Sequence, residues 1–147
     1  MKIVGFHSHH DCSYSILKNG IPIVHNELER FNRVKNSLAN SVQFFLDNEE
    51  DFSDIKYMTT HRTGGMSDND YMESFNKCLD IVKGNGGDAY VIGHHQSHAS
   101  NAFFTSNFKE ALIMTIDGGG IDKDDGSLHE VNEIDTDKGA KITCTTF

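Results

Sequence analysis

The chain has 147 residues, 37% of them hydrophobic, which is enough for one domain with a core that folding can bury and too little for two full domains. Its 13 basic residues against 22 acidic ones leave a formal charge of -9, which disfavours unassisted binding to a nucleic-acid backbone or an anionic membrane surface. The start, Met1 to His7, has no apolar run long enough for a signal sequence, and no stretch approaches the ~20 apolar residues of a membrane span. The expectation is a cytoplasmic, single-domain protein of residues 1–147 with no nucleic-acid and no membrane partner. Cys12, Cys78 and Cys144 are widely spaced and odd in number, so reduced, buried thiols are expected rather than a disulfide framework.

In chain order, Lys2–His7 is a short apolar run suited to a strand. Ser13–Leu17 and Ile21–Val24 flank Lys18-Asn19-Gly20, and Asn-Gly between two such runs predicts a hairpin. From Ser37, the positions Leu38, Val42, Phe45 and Leu46 share one helical face. Ile55–Thr60 reads as a strand, and after Thr63-Gly64-Gly65 a second helix is marked by Tyr71, Phe75, Leu79 and Val82. Gly84-Asn85-Gly86-Gly87 stops it. Ala89–Ile92 is the next strand, His94–Phe104 is helical, and Ala111–Asp117 is a strand ending in glycines. Two further strands are expected around Leu128–Ile134 and Lys141–Thr146. Hairpin-bearing strands followed by strands alternating with helices imply an α/β architecture with a mixed sheet.

Four segments carry chemistry. In Gly93-His94-His95-Gln96-Ser97-His98, a helix places His94 and His98 on one face and rotates His95 away by about 100°. Two imidazoles at that spacing can bind one ion, with iron, zinc, copper and nickel all open, and the same spacing also occurs on solvated helix faces. Asp117-Gly118-Gly119-Gly120 follows an apolar run; successive amides in a tight glycine turn can cradle a phosphate, or the glycines can simply turn the chain. His10-Asp11 sits in the turn between the first strand and the hairpin. The one concentrated basic cluster is Arg30, Arg33 and Lys35, which could contact phosphate or form a solvated face. Asp122, Asp124 and Asp125 miss the spacing of a calcium loop. His7, His9, His25, His61 and His129 have no spacing argument and read as structural.

Taken together, His10-Asp11-Cys12-Ser13, Gly20, Glu29-Arg30-Phe31-Asn32-Arg33-Val34-Lys35, His94 to Phe104 and Thr115 to Gly120 resemble the carbamoyltransferases of nodulation-factor and antibiotic tailoring in order and spacing, from Ile3 to about Gly120. The resemblance implies an actin-like ATPase (ribonuclease H-like) half-domain, related to the metal-dependent tRNA threonylcarbamoyl-transfer enzymes. It implies ATP and carbamoyl phosphate as substrates, a carbamoyl-adenylate, and transfer of the carbamoyl group to a hydroxyl of a sugar or antibiotic. By position, His94, His98 and Asp117 match ligands of Fe(II) or another divalent transition metal. His10 and Asp11 would lie by the carbamoyl group, with Arg30, Arg33, Lys35 and Gly118, Gly119 and Gly120 on the phosphates.

Asn36 stands where the family often has His, and Gly119 where it often has another small residue. Family members are several times longer, so the expectation is a truncated N-terminal portion, inactive alone, that is either completed by a second polypeptide or a fragment of a longer chain. The alternative is a non-catalytic metal- or nucleotide-binding module.

Overall fold

The computed structural model describes residues 1–8, 10–61, 69–115 and 129–130, without the side chains of residues 61, 69, 70, 95, 129 and 130. In chain order the elements are β1 (Lys2–His7), β2 (Ser13–Lys18), β3 (Ile21–Glu27), α1 (Leu28–Asn32), α2 (Ser41–Asn48), β4 (Ile55–His61), α3 (Asn69–Gly84), β5 (Asp88–Ile92), α4 (His94–Phe104) and β6 (His129–Glu130). They form an α/β fold around one mixed sheet of order β3-β2-β1-β4-β5-β6. β1, β2 and β3 are an antiparallel meander, while β4 and β5 run parallel to β1.

The meander turns at Asn19 and Gly20, both with positive φ (53° and 80°), the conformation that matches a two-residue turn to the twist of its strands. In β1, Lys2, Val4 and Phe6 alternate toward the buried face, joined by Tyr14 and Ile16 of β2 and Met58 and Thr60 of β4. α2 and α3 cover that face. Phe44 and Phe45 of α2 meet Tyr14 edge-on, at ring separations of 5.3 Å each, and Phe45 meets Phe6 at 5.4 Å. From α3, Tyr71, Phe75, Cys78, Leu79 and Val82 fill the rest, the helical stripe expected from their spacing. Each such large apolar side chain contributes roughly 1.5–3 kcal/mol on burial.

Two expectations are corrected. The helix after the meander begins at Ser41, not Ser37, because the Asn40 side chain caps it by accepting from the amides of Val42 (3.1 Å) and Gln43 (3.2 Å). Leu38 therefore lies outside the helix and is exposed. Residues 111–115 of the expected strand Ala111–Asp117 join no strand; the edge of β5 away from β4 is taken by β6, through Tyr90↔Glu130 and Val91↔His129. The final predicted strand at Lys141–Thr146, Cys144 and the Asp122–Asp125 turn lie outside the described residues.

Candidate functional site

Sheet polarity gathers the candidate residues at one end. β1, β3, β4 and β5 share one direction, so their carboxyl ends, His7, Glu27, His61 and Ile92, lie together with the start of β2 at Ser13. From β1 the chain passes to β2 on one side, and from β4 to β5 on the other, so the crevice beyond β1 and β4 is where open α/β sheets hold ligands. The 8–12 turn, α1 and the start of α4 all leave from this end.

The 8–12 turn is anchored at both sides. Ser8 and Ser41 share a buried hydroxyl bond of 2.6 Å, and the Ser41 amide donates to the Ser8 hydroxyl. The Cys12 amide donates to the Ser37 carbonyl at 3.3 Å, and the Leu28 amide to the Cys12 carbonyl at 2.9 Å. Between these anchors Asp11 adopts a left-handed conformation (φ 56°), and its carboxylate lies 2.8 Å from His10 Nδ1. A carboxylate on Nδ1 favours a proton there, which leaves Nε2 as the acceptor nitrogen.

On α4 the His94 and His98 rings meet edge-on at 4.7 Å, with their Nε2 atoms 3.2 Å apart. One ring can donate to the other across that distance. The same separation fits both nitrogens on one ion, since two bonds of ~2.1 Å at a tetrahedral angle hold their nitrogens about 3.4 Å apart. Two imidazoles suit iron, zinc, copper and nickel alike. Among the described residues no third carboxylate, imidazole or thiol completes a three-donor group. The expected third ligand, Asp117, and the phosphate turn Gly118, Gly119 and Gly120 lie outside the described residues.

The basic cluster is less open than its composition suggests. Arg30 lies on α1, its Nε donating to Glu27 at 2.9 Å and its guanidinium 3.8 Å from Glu29. Hydrogen bonds from His25 and Arg30 hold the Glu27 carboxyl below its ordinary range. Arg33 ends α1 in a left-handed conformation (φ 62°), and exposed Lys35 follows. These residues leave from the same sheet end as His10, and Glu27 and Glu29 already answer part of the charge of Arg30.

His7 carries more than its isolated place in the sequence indicated. It ends β1 on the face opposite Phe6, half-buried, with its ring 5.6 Å from that of His10. Burial and the His10 imidazole push its pKa down, a bond to the His10 backbone and the Asp11 carboxylate push it up, and the His94 imidazole lowers it again. It thus lies within electrostatic reach of both imidazole groups. Strand alternation could have signalled it, because the residue after core-facing Phe6 must face away from the core. Burial raises the Cys12 thiol to about 11 and the Cys78 thiol to about 12, as befits inert core residues. On α4, Gln96 Oε1 is buried with no hydrogen-bond partner among the described residues.

No family model matches the chain, and no solved structure matches it. Among curated proteins, a stretch of 29 residues, 20% of this chain, is 59% identical to the nodulation protein NolNO of Sinorhizobium fredii. That stretch spans 4% of NolNO. Among the described residues no helix is long and apolar enough to cross a membrane.

Proposed function

We propose that this chain is the N-terminal portion of a carbamoyltransferase that uses ATP and carbamoyl phosphate to carbamoylate a hydroxyl of a sugar or secondary metabolite through a carbamoyl-adenylate. The observation that carries the reading is that the His10–Asp11 pair (2.8 Å) and the His94–His98 pair (3.2 Å) lie on elements that leave the same end of the sheet. The short likeness to NolNO supports the family. The strand order, an antiparallel meander flanked by parallel strands with intervening helices, supports an actin-like, ribonuclease H-like half-domain.

In this reading His10 Nε2 takes the proton of the acceptor hydroxyl while Asp11 holds the ring by Nδ1. His94 and His98 would hold a divalent ion, with Asp117 as the expected further ligand, and such an ion would supply Lewis-acid polarisation of a phosphate or carbamoyl oxygen. Arg30, Arg33 and Lys35, with Gly118, Gly119 and Gly120, meet the phosphates. Leu112 and Met114 are 96% and 72% exposed, and such an apolar run favours a completing polypeptide that covers it, hence one part of a split or longer enzyme.

The test is equilibrium binding of carbamoyl phosphate to the zinc-loaded chain, followed by phosphorus NMR. Binding by the parent that His10→Ala weakens at least tenfold, with an unchanged melting temperature, is expected. No binding by the zinc-loaded parent would overturn the reading. The chain alone is expected to form no carbamoyl-adenylate from ATP and carbamoyl phosphate, because a closed cleft needs a second wall.

A further inference from the structure

The face of the sheet turned away from α2 and α3 carries a second group of polar side chains. In β2, Tyr14 and Ile16 face the core, so Ser15 between them faces the other way. The ladder sets Ser15 directly opposite His25 of β3, and His25 and Glu27, at alternate positions of one strand, share that face. A hydroxyl, an imidazole and a carboxylate are thereby lined up. His25 Nδ1 lies 2.7 Å from the Ser15 hydroxyl, and its Nε2 lies 3.4 Å from Glu27. Arg30 Nε donates to the same Glu27 carboxylate at 2.9 Å. Bonds from His25 and Arg30 hold that carboxyl below its ordinary range, so it is ionised at neutral pH. An ionised carboxylate at Nε2 favours the proton there, which leaves Nδ1 to accept from the Ser15 hydroxyl. On the β1 side the residue paired with Ser15 is Gly5, so no side chain flanks the hydroxyl there.

We propose that Ser15 is a nucleophile that takes the acyl group of small activated esters, with His25 as its base and Glu27 as the residue that positions the imidazole. A serine within hydrogen-bond reach of a base, the base in turn oriented by a third group, is the arrangement that activates a hydroxyl. The His25 side chain is more than half exposed, so the substrate class is one whose leaving group, an aryl oxide, departs without help from an enclosing site. In the step, Ser15 Oγ bonds to the acyl carbon and the bond from that carbon to the aryl oxide breaks. The hydroxyl proton passes to His25 Nδ1 and from there to solvent. The step uses neither His10 nor His94 and His98, and it stands apart from the carbamoyl-transfer reading.

The experiment incubates the full 147-residue chain with p-nitrophenyl acetate, stops the reaction with acid and locates acetyl groups by peptide mass spectrometry. Ser13, on the same face of β2 and opposite Glu27, is the internal reference. Acetylation of Ser15 is expected to outpace that of Ser13 by at least about tenfold. His25→Ala brings the two rates together, and His25→Val, a better strand former, serves if the alanine variant does not fold. Glu27→Gln keeps the shape but not the charge. It slows Ser15 relative to Ser13, and the neutral His25 ring, read by long-range proton–nitrogen correlation, loses its preference for the proton on Nε2. Equal acetylation of Ser15 and Ser13 in the parent would overturn the proposal. So would an unchanged Ser15 rate in a folded His25 variant, or a Glu27→Gln chain that keeps both the rate and the ring state of the parent.

Discussion

Lys2 brings an ammonium group into the sheet, and the residue is only 8% exposed. Asp51 answers it at 2.7 Å, and the Asp51 backbone carbonyl accepts from it as well. The Lys2 bond, then the Ser53 hydroxyl and amide, hold the Asp51 carboxyl well below the usual carboxylate range. A depressed carboxylate contributes stability that is present above its unfolded value near ~3.9 and is lost as pH falls through the lower folded value. Asp51→Asn should therefore melt below the parent at pH 7, with the gap closing as acid is added from about pH 4 downward. A gap that stays constant to pH 2 would show that the charge on Asp51 is irrelevant. Because Asp51 itself is largely exposed, most of the loss at neutral pH comes from leaving the buried Lys2 ammonium poorly paired. Gly87 makes a second residue-scale case. A Cβ there would stand 1.8 Å from the Lys56 carbonyl oxygen, which β4 cannot move, whereas at Gly5 it would meet the Thr59 hydroxyl at 3.3 Å. Gly87→Ala should cost about 3 kcal/mol or more and Gly5→Ala under about 1 kcal/mol, by denaturant titration. Equal costs would contradict this account of the β4–β5 pairing.

Among the elements, α2 depends on its cap more than on its short amphipathic stripe. Asn40 accepts from two amides and its own amide group donates to Ser74 of α3 at 2.7 Å, so one side chain starts α2 and ties it to its neighbour. Asn40→Ala should cost about 2 kcal/mol, the upper end for a cap, and Asn40→Asp should recover the capping part but not the Ser74 bond. A loss in Asn40→Ala below about 0.5 kcal/mol would contradict the dual role. The same region shows where sequence reasoning succeeds. Asn19-Gly20 announced the hairpin because few residues accept positive φ at both turn positions, and the α3 stripe from Tyr71 to Val82 was long enough to fix its period. The start of α2 was misplaced because Leu38 fits the apolar period, while the cap, a tertiary tie to Ser74, leaves no periodic trace. α1 is only 5 residues, too short for any period to mark it. The apolar run at 111–115 matched a strand in composition, yet strands form only where a partner edge is available.

At the scale of the whole molecule, polarity of the sheet brings the elements that carry His10, Arg30, His94 and His98 to one end of it. The antiparallel meander returns β3 to the direction of β1, and β4 and β5 adopt it too, so the His10 turn, the Arg30 helix and the His94 helix issue from the same end. That convergence follows from an order of strands that single motifs do not encode; the motif order suggested it only through family resemblance. His7 read as structural partly for this reason, since the His94 imidazole that bears on it comes near only through the sheet. The central proposal is that His94 and His98, four residues apart on α4, hold one metal ion between them at this end. Metal content after dialysis of the parent and of His94→Ala, His98→Ala and His95→Ala against a limiting zinc or iron buffer tests it most directly. The parent and His95→Ala should retain the ion, and the other two should lose it. No uptake by the parent, or equal loss in all three variants, would contradict it.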